Sequence, residues 1–292
     1  MAGASGRRPI VAGVGPDRVQ RTALAWAADE ALRRRLPLRL VHAQDVPPPT
    51  SGYRSEMARG AWAEWNRVLY GVADRTLRQA VAFVESRQPS VEVTPVLSEG
   101  APAAVLRAEA RDAALVVVGS RHLSRRHELF NPASVALSLT AHAPCPVVVA
   151  REPEHVTQEH PYFVVGVDGS PQSAAAVDTA FEEAALRRAQ LRALHVWHSP
   201  FLGAPDEHTA MRECRRVLSE TVAGREATYP DVELHHEVVR GHPVQALTDA
   251  SEHSLGLVVG TRGRGGFTGM LLGSVTQGVL HHARCPVISV PV

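Results

Sequence analysis

The sequence contains a long internal repeat, and this repeat limits the folds that the chain can adopt. The stretch Ala12–Gly15 precedes Val165–Asp168 by 153 positions, and Cys145-Pro146-Val147 precedes Cys285-Pro286-Val287 by 140. A unit of this length is a duplicated domain rather than one turn of a solenoid. Because 292 residues suit two domains of ordinary size, the repeat predicts two similar domains in tandem.

The repeat also sets the predicted domain boundaries. We expect a first domain over residues 1–150, a charged linker over 151–160 and a second domain over 161–292. The offset between the copies falls to 141 positions at Gly100 and its counterpart Gly241. The first copy therefore carries about twelve additional residues before Gly100. We place them around Pro47–Gly60, because that stretch has the Pro, Gly and Ser content of a loop.

Each copy alternates short apolar runs with helical patterns. In the second copy we predict strands over 162–168, 191–197, 232–239, 255–260 and 287–290, and helices over 172–189, 206–226, 243–253 and 274–283. Continuous apolar strands that alternate with helices are typical of a parallel sheet covered on both faces. We therefore expect an α/β protein with two tandem doubly wound domains, each a five-stranded parallel sheet flanked by helices.

Four apolar side chains of the first copy follow a helical spacing. Trp62, Trp65, Leu69 and Val72 lie three and four positions apart. This spacing places them on one face of a helix. We expect that face to pack in the core rather than to bind a ligand.

The composition excludes several classes of protein. The formal net charge is +1, so no overall electrostatic attraction draws the chain to nucleic acid or to an anionic membrane. The sequence contains no lysine. A P-loop, a protein kinase and a Schiff-base enzyme each need a lysine in the site, so these three classes are excluded.

The beginning of the chain and its hydropathy bear on where the protein works. Residues 1–8 are small and polar, and no segment has the length of an apolar membrane span. We therefore expect a cytoplasmic protein that has neither a membrane nor a nucleic acid as its partner.

Cysteines and histidines do not predict a disulfide framework or a metal centre. The three cysteines form no Cys-x-x-Cys motif. Fifteen histidines include the adjacent pairs His235-His236 and His281-His282, but adjacent side chains diverge on a strand or a helix. No His-Glu-x-x-His motif occurs, and we expect no metal bound by protein side chains.

A glycine-rich loop follows the predicted strand over residues 255–260. Gly260-Thr261-Arg262-Gly263 lies at the carboxyl end of this strand, where parallel sheets bind their ligands, and Gly273-Ser274 precedes the next helix. Glycines let the main chain approach an anion closely, and a helix N-terminus offers unpaired N–H groups. The hydroxyl of Ser274 is available to cap the helix or to contact the same anion. The segment therefore predicts a phosphate site.

The spacing Gly260-x2-Gly263-x9-Gly273-Ser274 resembles the ATP-binding signature of the universal stress protein family. Two further segments resemble that family, namely the strand and turn over 164–170 and the closing strand that begins with Cys285-Pro286-Val287. The resemblance covers the second copy and implies an adenine-nucleotide alpha-hydrolase-like fold that binds ATP with Mg²⁺. It assigns nucleotide binding to Val167, Asp168, Val196, Gly241, Gly260, Arg262, Gly263, Gly273, Ser274 and Val275.

By this resemblance, Asp168 contacts the adenine end of the nucleotide and the main chain of Val196 reads the adenine edge. Asp168 ends a predicted strand, where its carboxylate is able to accept a hydrogen bond from an adenine amino group or a ribose hydroxyl. The alternative is that Asp168 only caps the following helix.

Other loop residues also have two interpretations. Arg262 lies between the motif glycines, where it either donates charge-assisted hydrogen bonds to a phosphate or remains solvated. Gly241 matches a position near the ribose, although turn geometry alone also explains a glycine there. We expect Arg264 to lie outside the pocket.

The first copy departs from the motif. It has Gly15 at the position of Asp168, and it has His122 and Ala133 at the positions of the second and third motif glycines. Ser134 alone matches the motif serine. Side chains with a Cβ prevent the same close approach of the main chain, so we predict a first domain that keeps the fold and has lost nucleotide binding. The arginines of its loop leave open another anion.

These observations favour an ATP-binding stress-response or regulatory protein without a catalytic residue. One alternative is a slow ATPase, although neither Arg262 nor Asp168 makes a convincing water-positioning base. The other is an interaction scaffold in which both nucleotide sites are vestigial. We also expect the edge strands over 147–150 and 287–290 to pair within the chain, because exposed sheet edges need covering; a homodimer is left open.

Overall fold

The computed structural model describes residues 7–15, 20–45, 56–120, 134–151, 160–198, 207–264 and 271–291. The chain divides into two compact units, Met1–Gly119 and Ser120–Val292. The first unit contains strands β1 (Ile10–Gly13), β2 (Leu38–Gln44), β3 (Val93–Glu99) and β4 (Leu115–Gly119), and helices α1 (Gln20–Arg34), α2 (Glu56–Arg87) and α3 (Pro102–Glu109). Its strands lie in the order β3-β2-β1-β4, and each pair of neighbours is parallel.

The second unit begins with the last helix and strand of the first copy and continues through the second copy. Its strands are β5 (Val147–Ala150), β6 (Tyr162–Gly166), β7 (Gln190–Trp197), β8 (Leu234–Arg240), β9 (Gly256–Gly260) and β10 (Val287–Val290). Its helices are α4 (Val135–His142), α5 (Pro171–Arg187), α6 (Glu207–Val222), α7 (Arg225–Thr228), α8 (Pro243–Ala250) and α9 (Ser274–His282). The strand order is β5-β10-β9-β6-β7-β8.

The predicted α/β fold is confirmed. In the second copy all five strands are present and pair in parallel, and helices lie between them in sequence. Apolar runs form the central strands because both of their faces are covered; β9 and β10, for example, are buried along almost their whole length. β6 ends at Gly166, two residues before the predicted end, because the chain turns at Asp168–Ser170 to begin α5.

The predicted pairing of the edge strands is also present. β5 runs antiparallel to β10, with Val148 opposite Ile288. β10 also pairs with β9, so hydrogen bonds occupy both of its edges and a homodimer would need another surface. The hydroxyl of Ser289, fully buried on β10, donates to the carbonyl of Val147 at 3.2 Å. The compact units divide after Gly119 because β5 packs with β10; the predicted domain boundaries, which follow the sequence repeat, stay a prediction.

The predicted buried face of α2 is wrong. Trp65 and Val72 are each 47% exposed, and Trp62 and Leu69 are only half-buried. The buried side chains of this helix lie further along, at Ala73, Leu77, Ala80 and Val84. α2 has 32 residues and its counterpart α6 has 16, so the sheet covers only the later turns of the longer helix. Within the described residues, neither α2 nor any other helix is long and apolar enough to cross a membrane.

Substitutions on the two parts of α2 should therefore have unequal effects. Leu77→Ala removes a buried side chain and should lower the free energy of unfolding by about 2–4 kcal/mol. Val72→Ala removes an exposed one and should change it by less than about 1 kcal/mol. Urea unfolding of both variants measures the difference, and equal losses would contradict this assignment of the buried face.

Candidate functional site

The candidate site lies at the carboxyl ends of β6 and β9. These strands are parallel neighbours, with Val165 opposite Val258, so the turn after β6 and the loop after β9 leave the sheet side by side. The start of α9 joins them, because the N–H of Gly273 donates to the carbonyl of Thr261 at 2.9 Å. The structure thus brings together Asp168, the motif glycines and the beginning of α9, as the sequence predicts.

Asp168 binds two main-chain groups. Its Oδ1 accepts a hydrogen bond from the N–H of Ser170 at 2.9 Å, and its Oδ2 accepts one from the N–H of Arg264 at 2.8 Å. The residue that caps α5 is Ser170, whose Oγ accepts from the N–H of Ser173 at 3.1 Å. The alternative role considered for Asp168, capping of α5, therefore belongs to Ser170.

The carboxyl group of Asp168 is held in its charged form. Burial raises its pKa, but the hydrogen bonds that Ser170, Arg264 and Ser173 donate outweigh this effect, and the pKa lies below its ordinary value. The site therefore contains a fixed negative charge at neutral pH.

Two motif glycines are required by contacts within the protein. A Cβ on Gly260 would lie 2.7 Å from Cβ of Gln172 and 2.9 Å from its carbonyl carbon, at the start of α5. A Cβ on Gly263 would clash with Oδ2 of Asp168. These glycines let the loop after β9 lie directly against the turn after β6.

Gly273 differs from the other two motif glycines. A Cβ there would lie 3.4 Å from Cα of Arg262 and from the carbonyl oxygen of Thr261, which is ordinary contact. Its φ of −66° suits any residue. The fold of the described residues therefore does not require a glycine at this position.

The N-terminus of α9 is open. Gly273 is its N-cap and supplies no side-chain hydrogen bond, so Ser274 is the first helical residue rather than the cap. Among the described residues, no acceptor bonds to the N–H groups of Ser274 and Val275. These groups point out of the helix end with the favourable dipole for an anion.

The matching helix of the first copy, α4, begins with a side-chain cap. Ser134 is its N-cap, and the Oγ of Ser134 accepts a hydrogen bond from the N–H of Leu137 at 3.4 Å. Ser134 and Ser274 match in sequence, yet one caps its helix and the other does not. His122 and Ala133 of the first copy's loop lie outside the described residues.

The expectation that Arg264 lies outside the pocket stays a prediction, and the structure places the residue beside the turn after β6. Its main chain binds Asp168, and its Nη1 lies 3.2 Å from where a Cβ on Gly169 would be. The hydrogen bond from Arg216 is the main cause that lowers the pKa of Glu213 on α6, and the positive charge of Arg264 adds to it. The side chain therefore lies over the turn after β6. Arg262 is exposed on the same loop, and within the described part of the chain no carboxylate pairs with it.

Two other predicted residues lie at the same edge of the sheet. Val196 is next to the last residue of β7, and Gly241 follows β8. The N–H of Gly241 donates to the carbonyl of Trp197 at 3.0 Å, which fixes the turn after β8. Val167 is buried and its N–H donates to the carbonyl of Leu194 at 2.9 Å.

His195 of β7 is a site residue that the sequence reasoning left without a role. Burial lowers its pKa, the charge of Asp168 opposes this and that of Arg264 adds to it; the net shift is downward. The imidazole is therefore neutral at neutral pH. The sequence signal for His195 is its repetition, because His42 stands at the matching position of the first copy.

Metal-ligating side chains do not gather at this edge. Over the described ranges, no three His, Cys, Asp or Glu side chains lie close enough to hold a metal ion. His281, in one of the adjacent pairs, is buried on α9, while both members of the other pair are exposed on β8.

The hydrogen bonds of Asp168 predict a pH-dependent stability. Asp168→Asn should lower the free energy of unfolding at neutral pH by about 1–2 kcal/mol. Because the folded pKa is depressed, this contribution is fully present above the unfolded pKa of about 3.9 and is lost as the pH falls through the folded pKa.

Urea unfolding of the wild type and of Asp168→Asn from about pH 7 to about pH 3 tests this prediction. The difference between the two proteins should shrink at the acid end. A difference that stays constant over the whole range would contradict it.

Comparison with known proteins agrees with this geometry. The family model described as "Universal stress protein family" matches residues 6–151 and 162–291. A universal stress protein of Mycobacterium tuberculosis is 36% identical over 295 residues, which cover 96% of this chain and 95% of that protein. A second one from the same organism is 35% identical over 290 residues, with the same coverage.

Solved structures show the same fold. The crystal structure of a universal stress protein from Archaeoglobus fulgidus has a TM-score of 0.68 at 17% identity and covers 98% of this chain and 97% of its own. One from Pseudomonas aeruginosa has a TM-score of 0.64 at 19% identity, covering 97% and 93%. With two copies of the family's domain along its length, this chain belongs to the universal stress protein family.

Proposed function

We propose that the second copy binds an adenine nucleotide, ATP with Mg²⁺, and that the protein acts as a stress-response or regulatory module rather than as an enzyme. The observation that carries this proposal is the open N-terminus of α9 at Gly273 and Ser274, beside the loop after β9. An anion is the ligand that such a helix end suits best.

The phosphate end of the site has the groups that a nucleotide needs. The N–H groups of Ser274 and Val275 are available, and a ligand explains the missing side chain at Gly273 that the fold does not require. Arg262 is exposed on the adjoining loop and would donate charge-assisted hydrogen bonds to a phosphate. The described residues offer no side-chain cluster for Mg²⁺, so the ion would bind through the phosphates, as this cation commonly does.

The adenine end is argued from the charged carboxylate and from the resemblance to the family motif. Asp168 is ionised and lies at the carboxyl edge of the sheet, where its remaining lone pairs would accept from a ribose hydroxyl or an adenine amino group. Val196, one residue before the end of β7, and Gly241, directly after β8, would present main-chain groups to the base and the ribose.

The same contacts argue against an efficient hydrolase. Phosphoryl transfer to water needs a residue that orients the water at the γ-phosphate. Asp168, the carboxylate of the motif, is bound by two main-chain N–H groups and is assigned to the adenine end. His195 interacts electrostatically with Asp168 and Arg264. Among the described residues, no hydrogen bond joins it to the N-terminus of α9. We therefore assign the nucleotide the role of a ligand.

We further propose one nucleotide site per chain. In the first copy the hydroxyl of Ser134 occupies an N–H group at the start of α4, and Gly15 supplies no carboxylate. The net charge of +1 supplies no overall attraction to a nucleic acid or a membrane, and we propose a cytoplasmic protein with a small ligand.

Gly273→Val tests the proposal, because it places a side chain at the helix end without disturbing a required glycine. Binding of a fluorescent ATP analogue with Mg²⁺ should weaken by about tenfold or more, while the free energy of unfolding should change by less than about 1 kcal/mol. Ala133→Val, at the matching position of the first copy, is the control and should leave binding unchanged.

Two outcomes would contradict the proposed function. Binding by Gly273→Val as tight as that of the wild type would move the phosphate away from α9. Phosphate release at the rate of a dedicated ATPase, lost in Arg262→Ala, would favour an enzyme.

A further inference from the structure

We infer that Asp168 is a positioning residue for the glycine loop, which its carboxylate holds by the main chain at Gly263 and Arg264 before any ligand arrives. The purpose of this arrangement rests on the proposed function, because a loop that is already fixed loses less conformational freedom when a nucleotide binds. We call the contacts of the Asp168 carboxylate with Gly263 and Arg264 the clasp; they lie entirely within the protein.

Both oxygens of the carboxylate take part in this clasp. Oδ1 is bound by the N–H of Ser170 on its own turn, and Oδ2 is bound by the N–H of Arg264, 96 positions along the chain. One side chain therefore joins the turn after β6 to the loop after β9. Hydrogen bonds to an ionised acceptor are stronger than those between neutral groups.

The loop has the shape that this contact needs. Gly263 lies so close to Oδ2 of Asp168 that no Cβ fits between them. The second motif glycine is thus required by Asp168, and no ligand has to be invoked to explain it.

The turn after β6 is shaped to receive the loop in return. Gly169 has a φ of +76°, and a Cβ there would lie 2.5 Å from Cγ1 of Val217 and 3.2 Å from Nη1 of Arg264. A side chain at position 169 would therefore clash with Val217 and crowd the guanidinium of Arg264. The absence of two side chains, at 169 and at 263, lets the two segments interlock.

The sequence of the first copy agrees with the pairing of Asp168 with Gly263. It has lost the carboxylate, with Gly15 in place of Asp168, and it has also lost the glycine, with His122 in place of Gly263. Both members of the pair therefore differ between the two copies.

Trypsin provides a direct test, because Arg262–Gly263 and Arg264–Gly265 are cleavage sites within the loop. In nucleotide-free protein, Asp168→Asn should be cut at these bonds about tenfold faster than the wild type. The Asn side chain keeps one acceptor oxygen and so loses one of the two N–H contacts, and cleavage follows the population of the open loop. Mass spectrometry of the fragments separates these cuts from cuts elsewhere.

A matched substitution controls for the loss of a charge. Asp231→Asn removes an exposed carboxylate that lies before β8, and it should leave the rate of loop cleavage unchanged. Circular dichroism of each variant confirms that the comparison is between folded proteins.

Gly263→Ala tests the clasp from the loop side while keeping the carboxylate. It should also raise the cleavage rate, and the double variant with Asp168→Asn should be cut no faster than the faster single variant. Wild-type cleavage rates in either single variant, or rates that multiply in the double variant, would overturn the inference.

The test is independent of the proposed function, because it is carried out without nucleotide. Faster cleavage of Asp168→Asn in a protein that fails to bind Mg-ATP would uphold the clasp and reject the nucleotide site. Wild-type cleavage of Asp168→Asn in a protein that binds Mg-ATP would reject the clasp and leave the nucleotide site standing.

Discussion

The parallel pairing of β6 with β9 is the contact on which the candidate site depends. Because Val165 lies opposite Val258, the two strands end at the same edge, and segments almost a hundred residues apart in sequence become neighbours. The chain then needs little else to build the site. Asp168 lies on one strand's turn, the glycine loop leaves the other, and α9 follows the loop. Buried apolar strands thus determine where the polar groups meet.

The two copies differ in how the helix after the fourth strand begins. Each has a helix that follows its fourth strand, and the two helices begin near matching serines. In α4 the hydroxyl of Ser134 occupies an N–H group of the helix end. In α9 the residue before Ser274 is a glycine, and the N–H groups stay open. The matching serine thus caps α4, whereas no side chain caps α9.

Much of the fold was predictable from the sequence, because fully buried parallel strands give continuous apolar runs that few other structures produce. The loop glycines were predictable as a group, but their separate reasons were not. Gly260 and Gly263 are required by neighbours distant in sequence, Gln172 and Asp168, while Gly273 is not required by the described fold. Only the folded structure shows which atoms lie where the Cβ of another residue would be.

The wrong prediction for α2 has a physical cause of the same kind. The spacing of Trp62, Trp65, Leu69 and Val72 indicates one helical face, but the spacing alone does not tell what covers that face. The position of Arg264 beside the turn after β6 was not predictable either, because it follows from a main-chain hydrogen bond to Asp168, which no local sequence pattern encodes.

The central claim is that one of two similar domains holds a nucleotide. Calorimetric titration of Mg-ATP into nucleotide-stripped protein tests it most directly, because the stoichiometry counts the sites. Our account predicts one molecule of ATP per chain. Two molecules per chain would show that the first copy binds nucleotide without the carboxylate and glycines of the motif, and no binding would show that neither copy is a nucleotide site.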